Sequence, residues 1–126
     1  MLNKSEKEQM MSFERYIFDR LGEAVEGIST VDPEEGYSLT LTDLQTISKW
    51  VETSSFSIDI LKKSKQSASD LKDRIYDELD SICSHTAGIL TYDVNSLTAS
   101  RDDIPGRWIY TIGISITHRR DCDWRS

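Results

Sequence analysis

The alternation of apolar and polar side chains is longest near the C-terminal end of the chain, over residues 108–118. Strict period-two alternation of this length is typical of a half-buried β-strand, and β-branched and aromatic residues favour a pleated backbone. We therefore predict a long strand that organises a sheet. One face of this strand carries Trp108, Tyr110, Ile112, Ile114, Ile116 and His118, and the other carries Ile109, Thr111, Gly113, Ser115 and Thr117.

Residues 37–62 are strand-like throughout, with clear alternation at both ends and an ambiguous middle at 44–51. The middle is rich enough in β-branched and aromatic residues to favour a strand. A further strand is predicted over 89–98. The alternating apolar positions are Tyr37, Leu39, Leu41, Phe56, Ile58, Ile60, Leu90, Tyr92 and Val94.

Two segments instead repeat apolar residues every three or four positions, which is the period of an amphipathic helix. The first is predicted over 5–28, where Ser5 and Glu8 have capping-box spacing and Gly27 is a candidate stop. The second is predicted over 69–86, with Asp70 near its start and Gly88 beyond its end. The stripes are Met10, Phe13, Ile17, Leu21, Ala24 and Ile28 in the first, and Leu71, Ile75, Leu79 and Ile82 in the second.

These elements predict an α+β fold in the order α-β-β-(β)-α-β-β. We expect a mainly antiparallel sheet of four to five strands packed against two helices. The length of 126 residues predicts a single domain, 1–126. For the charged C-terminal extension, 119–126, contact with a partner and disorder are both open.

The net charge of −7 argues against nucleic acid as the main ligand, because phosphate binding needs a clustered basic surface. An acidic surface next to DNA can still have a role, because it repels the duplex and keeps it from binding. A need for solubility alone also explains the charge. The N-terminus lacks the apolar region of a signal peptide, and no run approaches the roughly 18 apolar residues of a membrane span. We expect a soluble protein made in a reducing cytoplasm, with Cys83 as a buried thiol and its pairing with Cys122 open.

The sequence contains few candidate catalytic residues. Of the two histidines, we expect His85 to cap a helix C-terminus and His118 to lie at the sheet edge. The sequence has no nucleophile elbow, phosphate-binding loop or CxxC motif. We therefore predict that the protein is not an enzyme and has no catalytic, cofactor or metal site. The acidic pairs fall in predicted turns or the tail: Glu34 and Glu35, Asp102 and Asp103, Asp121 and Asp123.

Two tryptophans are candidate contacts with a partner. Trp108 directly follows a turn, which suits either a core or an interface position. Trp124, two residues from the end of the sequence, is hard to bury in a small domain, so we expect it on the surface.

The charged turn and final strand resemble a known family. Arg101, Asp102 and Asp103 are followed by Gly106, by Trp108 and then by the alternating strand. This combination resembles the C-terminal end of the tail terminator (tail completion) proteins of long-tailed bacteriophages, and is similar to the minor tail protein U family. The order of the predicted helices and strands upstream is also similar to that family's.

The resemblance implies a virion protein at the head–tail junction, made in the host cytoplasm. Identical subunits, commonly six, would form a ring that caps the tail tube, stops its elongation and provides the head-docking surface. Its partners would be further copies of itself, the tail tube protein and a head-completion or neck protein. DNA would pass through the lumen without specific binding, and no membrane would be involved.

A closed ring requires a heterologous interface, in which two different surfaces of each subunit meet. The candidate interface residues are Arg101, Asp102, Asp103, Trp108 and Trp124. Three alternatives remain open: a head-completion or neck protein at the same junction, a small metal-dependent enzyme, and a monomeric module that binds a peptide by edge addition. The enzyme would use Asp102, Asp103 and His118.

Overall fold

A computed structural model of the chain describes residues 12–103, 106–120 and 124. It is an α+β fold with two helices and a five-stranded, mostly antiparallel sheet, which confirms the predicted fold class. The elements in chain order are α1 (Ser12–Ala24), β1 (Ile28–Ser29), β2 (Gly36–Ser48), β3 (Val51–Lys62), α2 (Lys65–His85), β4 (Ile89–Asp102) and β5 (Arg107–Arg119).

The strand predicted from the longest alternation is an inner strand of the sheet. The strand order is β1-β2-β3-β5-β4, so β5 pairs with β3 on one side and with β4 on the other. Both pairings are antiparallel, and the β3 register runs without a shift from Val51 opposite Arg119 to Lys62 opposite Trp108. Only the short β1 pairs in parallel, with Tyr37 and Ser38 of β2.

One face of the sheet is covered by both helices and forms the core. The alternating isoleucines of β3 and β5 lie fully buried on this face, as the period-two pattern predicts. Burial of these side chains and of the helix stripes is the main stabilising contribution. The central members of the core are Phe13, Ile17, Leu21, Phe56, Ile58, Ile60, Ile75, Leu79, Ile112, Ile114 and Ile116.

The ambiguous segment at 44–51 is not a separate strand. β2 continues to Ser48, the chain turns at Lys49 and Trp50, and β3 begins at Val51. The backbone amide of Trp50 donates to Ser48 Oγ over 3.4 Å within this turn. The two predicted end strands are therefore longer than expected and form one hairpin.

Helix and strand ends differ from the prediction where local groups decide them. α2 begins at Lys65 rather than at 69, because Ser64 is its N-cap and Ser64 Oγ accepts from the Ser67 amide. β4 extends to Asp102 because pairing with β5 continues to Arg107. α1 ends at Ala24 rather than at 28. The predicted capping box at Ser5 and Glu8 lies outside the described residues.

The loop between α1 and β2 is closed by two glycines with positive φ. Gly27 has φ +98° and Gly36 has φ +131°, and the Gly27 carbonyl accepts from the Tyr37 amide over 3.1 Å. A Cβ on Gly36 would lie 2.6 Å from the Gly27 oxygen, whereas a Cβ on Gly27 would meet nothing closer than 3.6 Å. Only Gly36 therefore combines backbone strain with a direct clash.

We predict that Gly36→Ala lowers the free energy of unfolding by about 3 kcal/mol or more, because the backbone must move as well as adopt a strained φ. Gly27→Ala is the matched control and should cost about 1–2 kcal/mol, the penalty for a side chain at positive φ. Urea unfolding followed by circular dichroism measures both values. Equal losses for the two variants would contradict the close approach of these backbones.

Candidate assembly surface

The sheet has two long edges that no described strand covers. β4 is the last strand on one side, so its outer edge is unpaired within the described part of the chain. On the other side, β1 covers only Tyr37 and Ser38, so the outer edge of β2 is also unpaired over residues 41–48 within the described ranges. Unpaired edges present free backbone donors and acceptors and are ready sites for another strand.

Exposed apolar side chains concentrate along these two edges. Leu44 and Ile47 lie on β2 and Leu90 and Leu97 on β4, with exposed fractions from 38% to 56%. Trp50, 53% exposed, lies in the β2–β3 turn. Single exposed hydrophobic residues are ordinary, but their collection at two edges of one sheet indicates contact surfaces.

Tyr76 of α2 belongs to the β4 side of the molecule. It is 42% exposed and lies one helical turn from both Lys72 and Asp80. Lys72 Nζ lies 5.4 Å from the ring centre of Tyr110 on β5, and Asp80 accepts a hydrogen bond from the Tyr92 hydroxyl of β4. The β4 edge is therefore flanked by an exposed aromatic ring on its helix side.

The face of the sheet opposite the helices is lined with hydroxyl groups. Thr53 and Ser55 of β3 bond to Thr117 and Ser115 of β5, each over 2.9 Å. Asn95 Nδ2 donates to Ser115 Oγ over 2.6 Å from β4. We call the surface that residues 43, 53–59, 91–98 and 111–117 form on the side away from the helices the hydroxyl face.

The charges on the hydroxyl face are acidic. Asp43, Asp59 and Asp93 lie on it, since they are opposite Ser55, Thr111 and Ser115 in the strand registers. Burial raises the pKa of Asp59, and the hydrogen bond from Thr111 opposes that shift while nearby Asp32 adds to it. The paired strands bring no Lys or Arg to this face except near their ends.

The predicted charged turn lies at the end of the β4–β5 hairpin, and its charges contact one another. Arg101 Nε lies 3.2 Å from Asp103 Oδ1, and the Arg101 guanidinium lies 5.5 Å from the ring centre of Trp108. Trp108 is half-buried, and Lys65 Nζ also lies 5.2 Å from the centre of its ring. Asp103 has 87% of its side chain exposed, so its pair with Arg101 contributes little stability and leaves the carboxylate free to meet a partner.

Asp102 has a different environment from Asp103. It lies 3.4 Å from Arg107 Nε as an ion pair, although the alignment is too poor for a hydrogen bond. Arg107 also donates to the Pro33 carbonyl over 2.9 Å and so fixes the acidic loop before β2. Asp102 is therefore part of the fold's own contacts, which sequence spacing does not reveal.

The expectation that Trp124 is exposed is wrong. Trp124 is only 6% exposed, and its Nε1 donates to the Arg119 carbonyl over 2.8 Å. Its ring packs edge-on against Phe13 and Tyr16 of α1, with ring centres 4.7 and 5.0 Å apart. A small domain can bury this residue because Trp124 packs against the N-terminal part of α1. Its flanking residues Asp121, Cys122 and Asp123 lie outside the described part.

The expectation that His118 lies at the sheet edge is also wrong. His118 is on the inner strand β5, is fully buried, and stacks on Phe13 with ring centres 3.5 Å apart. Its Nδ1–H donates to the Arg119 carbonyl over 3.2 Å, which leaves Nε2 to accept from the Ser54 hydroxyl over 2.8 Å. Burial lowers the pKa of His118, while the Arg119 carbonyl and Glu52, whose Oε1 lies 3.8 Å from Nε2, oppose that shift.

The structure does not assemble the site that a small metal-dependent enzyme would need. His118 and the Asp102–Arg107 pair lie at opposite ends of β5, a strand of 13 residues. At about 3.3 Å per residue the strand is roughly 40 Å long, so these groups cannot share one ion. The described residues hold no cluster of three or more His, Cys, Asp or Glu side chains suited to a metal.

The remaining candidate reactive residues, Cys83 and His85, have structural roles. Cys83 is buried as predicted, and burial raises the pKa of its thiol to about 12, which makes it unreactive. His85 Nδ1 donates to the Ser81 carbonyl over 2.9 Å near the end of α2, as expected for a cap.

A polar cleft of about 260 Å³ lies between α1 and α2, lined by Arg20, Glu23, Ala24, Glu78, Ser81, Ile82, His85 and Thr86.

Comparisons with known proteins add no family. No protein-family model matches the chain, and no curated protein is significantly similar to it. The resemblance to tail terminators therefore stays a prediction from the sequence. Among the described residues, neither helix is long and apolar enough to cross a membrane.

We predict that Trp124→Ala lowers the free energy of unfolding by about 3 kcal/mol or more, since a large aromatic side chain leaves the core. Trp50→Ala is the matched control, because Trp50 is exposed and its loss should change stability by no more than about 0.5 kcal/mol. Chemical denaturation of both variants measures the difference. A loss for Trp124→Ala as small as that for Trp50→Ala would contradict the docking of Trp124 on α1.

We predict that the protein loses stability as pH falls below about 6.5, because His118 takes up a proton more readily when unfolded than when folded. The loss continues down to the lowered pKa of the folded state. Unfolding free energies at a series of pH values should show this slope in the wild type and in His85→Phe. His118→Phe should lack this component, and an unchanged slope in that variant would contradict the assignment.

Proposed function

We propose that this chain is a structural protein of a long-tailed bacteriophage that forms a closed ring, commonly of six subunits, on the end of the tail tube. There it stops tube elongation and provides the surface on which the head docks. The observation that carries this proposal is the pair of apolar edges on opposite sides of one sheet, both unpaired within the described part of the chain. Two different surfaces on one subunit are what a heterologous, ring-forming interface needs.

The hydroxyl face supports a position along the lumen of the ring. It joins Ser, Thr and Asn side chains with Asp43, Asp59 and Asp93, and the basic residues lie only near the strand ends. Such a surface repels the phosphate backbone and offers it no cluster of cations. DNA would therefore pass through the ring without binding to it.

The partners of the ring follow from its place in the virion. The tail tube protein would lie on one side and a head-completion or neck protein on the other, both by the resemblance of residues 96–117 to tail terminators. A neck protein at the same junction would need the same ring and the same edges. The charged turn with Asp103 and Trp108 lies at one end of the hairpin, where it would contact a neighbour or one of these partners.

A second candidate function is a monomeric module that binds an extended peptide. The outer edge of β4, unpaired in the described part of the chain and flanked by Leu97 and Tyr76, favours it. β-strand addition to such an edge is a common mode of peptide recognition. The two candidates differ in a simple observable, since the module stays monomeric and the tail protein self-associates.

We predict that the purified protein forms one discrete assembly with a central opening. Size exclusion coupled to light scattering should give a single mass above that of the monomer, and negative-stain imaging should show rings. Asp103→Lys should weaken the assembly at low salt without changing the circular dichroism spectrum, because it reverses an exposed charge at the proposed interface.

Glu34→Lys is the matched control, because it reverses an equally exposed carboxylate in the loop before β2. It should leave the assembly intact. A protein that remains monomeric at every concentration and salt would contradict the proposed ring. Assembly that Asp103→Lys leaves unchanged would instead remove the charged turn from the interface.

A further inference from the structure

We infer that, in the proposed ring, the outer edge of β4 pairs antiparallel with residues 41–48 of β2 in the next copy. This inference rests on the proposed ring and adds the interface that closes it. Each subunit would then contribute both edges, one to each neighbour. The sheets of all subunits would join into one continuous sheet around the lumen.

Strand direction supports this pairing. The long strands alternate in direction across the sheet from β2 through β3 and β5 to β4, because each neighbouring pair is antiparallel. β2 and β4 therefore run in opposite directions. When a second copy is placed beside the first in the same orientation, its β2 is antiparallel to the first copy's β4, and the alternation continues across the boundary.

One exposed leucine of each edge lies on the helix side of the sheet. Leu97 is opposite Ile112, and Leu44 is opposite Ser54, and both of these partners face the helices. Pairing β4 with the next copy's β2 would therefore bring Leu97 and Leu44 to the same side of the joined sheet. That side also carries Tyr76, so the contact would bury one exposed leucine of each edge beside this ring.

These edges lack two of the devices that commonly prevent strand addition. Neither β2 nor β4 contains a lysine or a proline, and each is long. Each strand has two register irregularities. One of those in β2 lies between Leu41 and Asp43, and one of those in β4 lies between Val94 and Ser96. Bulges increase twist and bend a sheet, and a ring requires a sheet that curves.

The free length of the β2 edge sets the size of the contact. β1 occupies the edge at Tyr37 and Ser38, so the next copy has residues 41–48 available. At about 3.3 Å per residue this gives a strand pair of roughly 26 Å. A two-fold pair of β4 strands, or a foreign strand on β4, would leave Leu44 and Ile47 exposed, whereas a head-to-tail copy covers both edges.

A mixing experiment tests the pairing directly. Leu97→Lys blocks the β4 edge and Leu44→Lys blocks the β2 edge, both at half-exposed side chains that the fold itself does not bury. Each variant alone should be monomeric under conditions in which the wild type forms rings. Their equimolar mixture should form a dimer and nothing larger, because one intact β2 edge then meets one intact β4 edge. Light scattering after size exclusion measures all four samples.

Val31→Lys is the control, since Val31 is 71% exposed in the loop before β2 and lies on neither edge. It should form rings like the wild type. Leu90→Lys and Ile47→Lys provide a second pair of edge variants if either of the first pair is not folded by circular dichroism. Their expected behaviour, alone and mixed, is the same.

The other outcomes each overturn the inference. Rings in both edge variants would leave the proposed function standing but exclude this interface. A dimer of Leu44→Lys alone would mean that β4 pairs with β4 about a two-fold axis. A wild type that is monomeric throughout would overturn both the interface and the ring, and would leave β4 available to a foreign strand.

Discussion

The fold depends on the pairing of β5 along both of its edges. β3 and β4 cover it from end to end, and its core face carries the isoleucines on which α2 and α1 pack. A strand that is paired on both sides and buried on one face has no freedom to change register, because a shift of one residue would expose its whole apolar set. The rest of the sheet is built outward from this strand.

That arrangement determines which surfaces remain for other molecules. With β5 and β3 in the middle, β4 and the far half of β2 become the edges, and the face away from the helices stays polar. Four of the large apolar residues that are exposed in the described part of the chain lie on those edges: Leu44, Ile47, Leu90 and Leu97. A subunit with two different edges that carry exposed apolar side chains, and with an acidic polar face, is suited to head-to-tail assembly around an opening.

The sequence predicts much of this fold because most of its information is local. Period-two alternation identifies β3 and β5 with their buried faces, and the helical stripe identifies α2. The starts of helices are harder to predict from the sequence, since one hydrogen bond to the N-cap Ser64 decides where α2 begins. The middle of residues 37–62 is ambiguous in its local pattern, and only the pairing of β2 with β3 shows that the chain turns at Lys49 and Trp50.

The candidate site is harder to predict because it depends on long-range contacts. Trp124 and His118 are seen as tail and edge residues in the sequence, yet both pack on Phe13 from the far end of the chain. In the sequence Arg107 is an ordinary charged residue of a turn, and nothing there indicates its hydrogen bond to the Pro33 carbonyl. The free edges of β2 and β4 cannot be identified at all until the strand order is fixed.

The central claim is that copies of this chain close into a ring of fixed size, and native mass spectrometry tests it most directly. A subunit has a mass of 14.4 kDa, so a hexamer would have a mass of about 86 kDa. We expect one dominant particle at a fixed multiple of the subunit mass over a wide range of concentrations. A monomer alone, or an open-ended ladder of masses that lengthens with concentration, would contradict it.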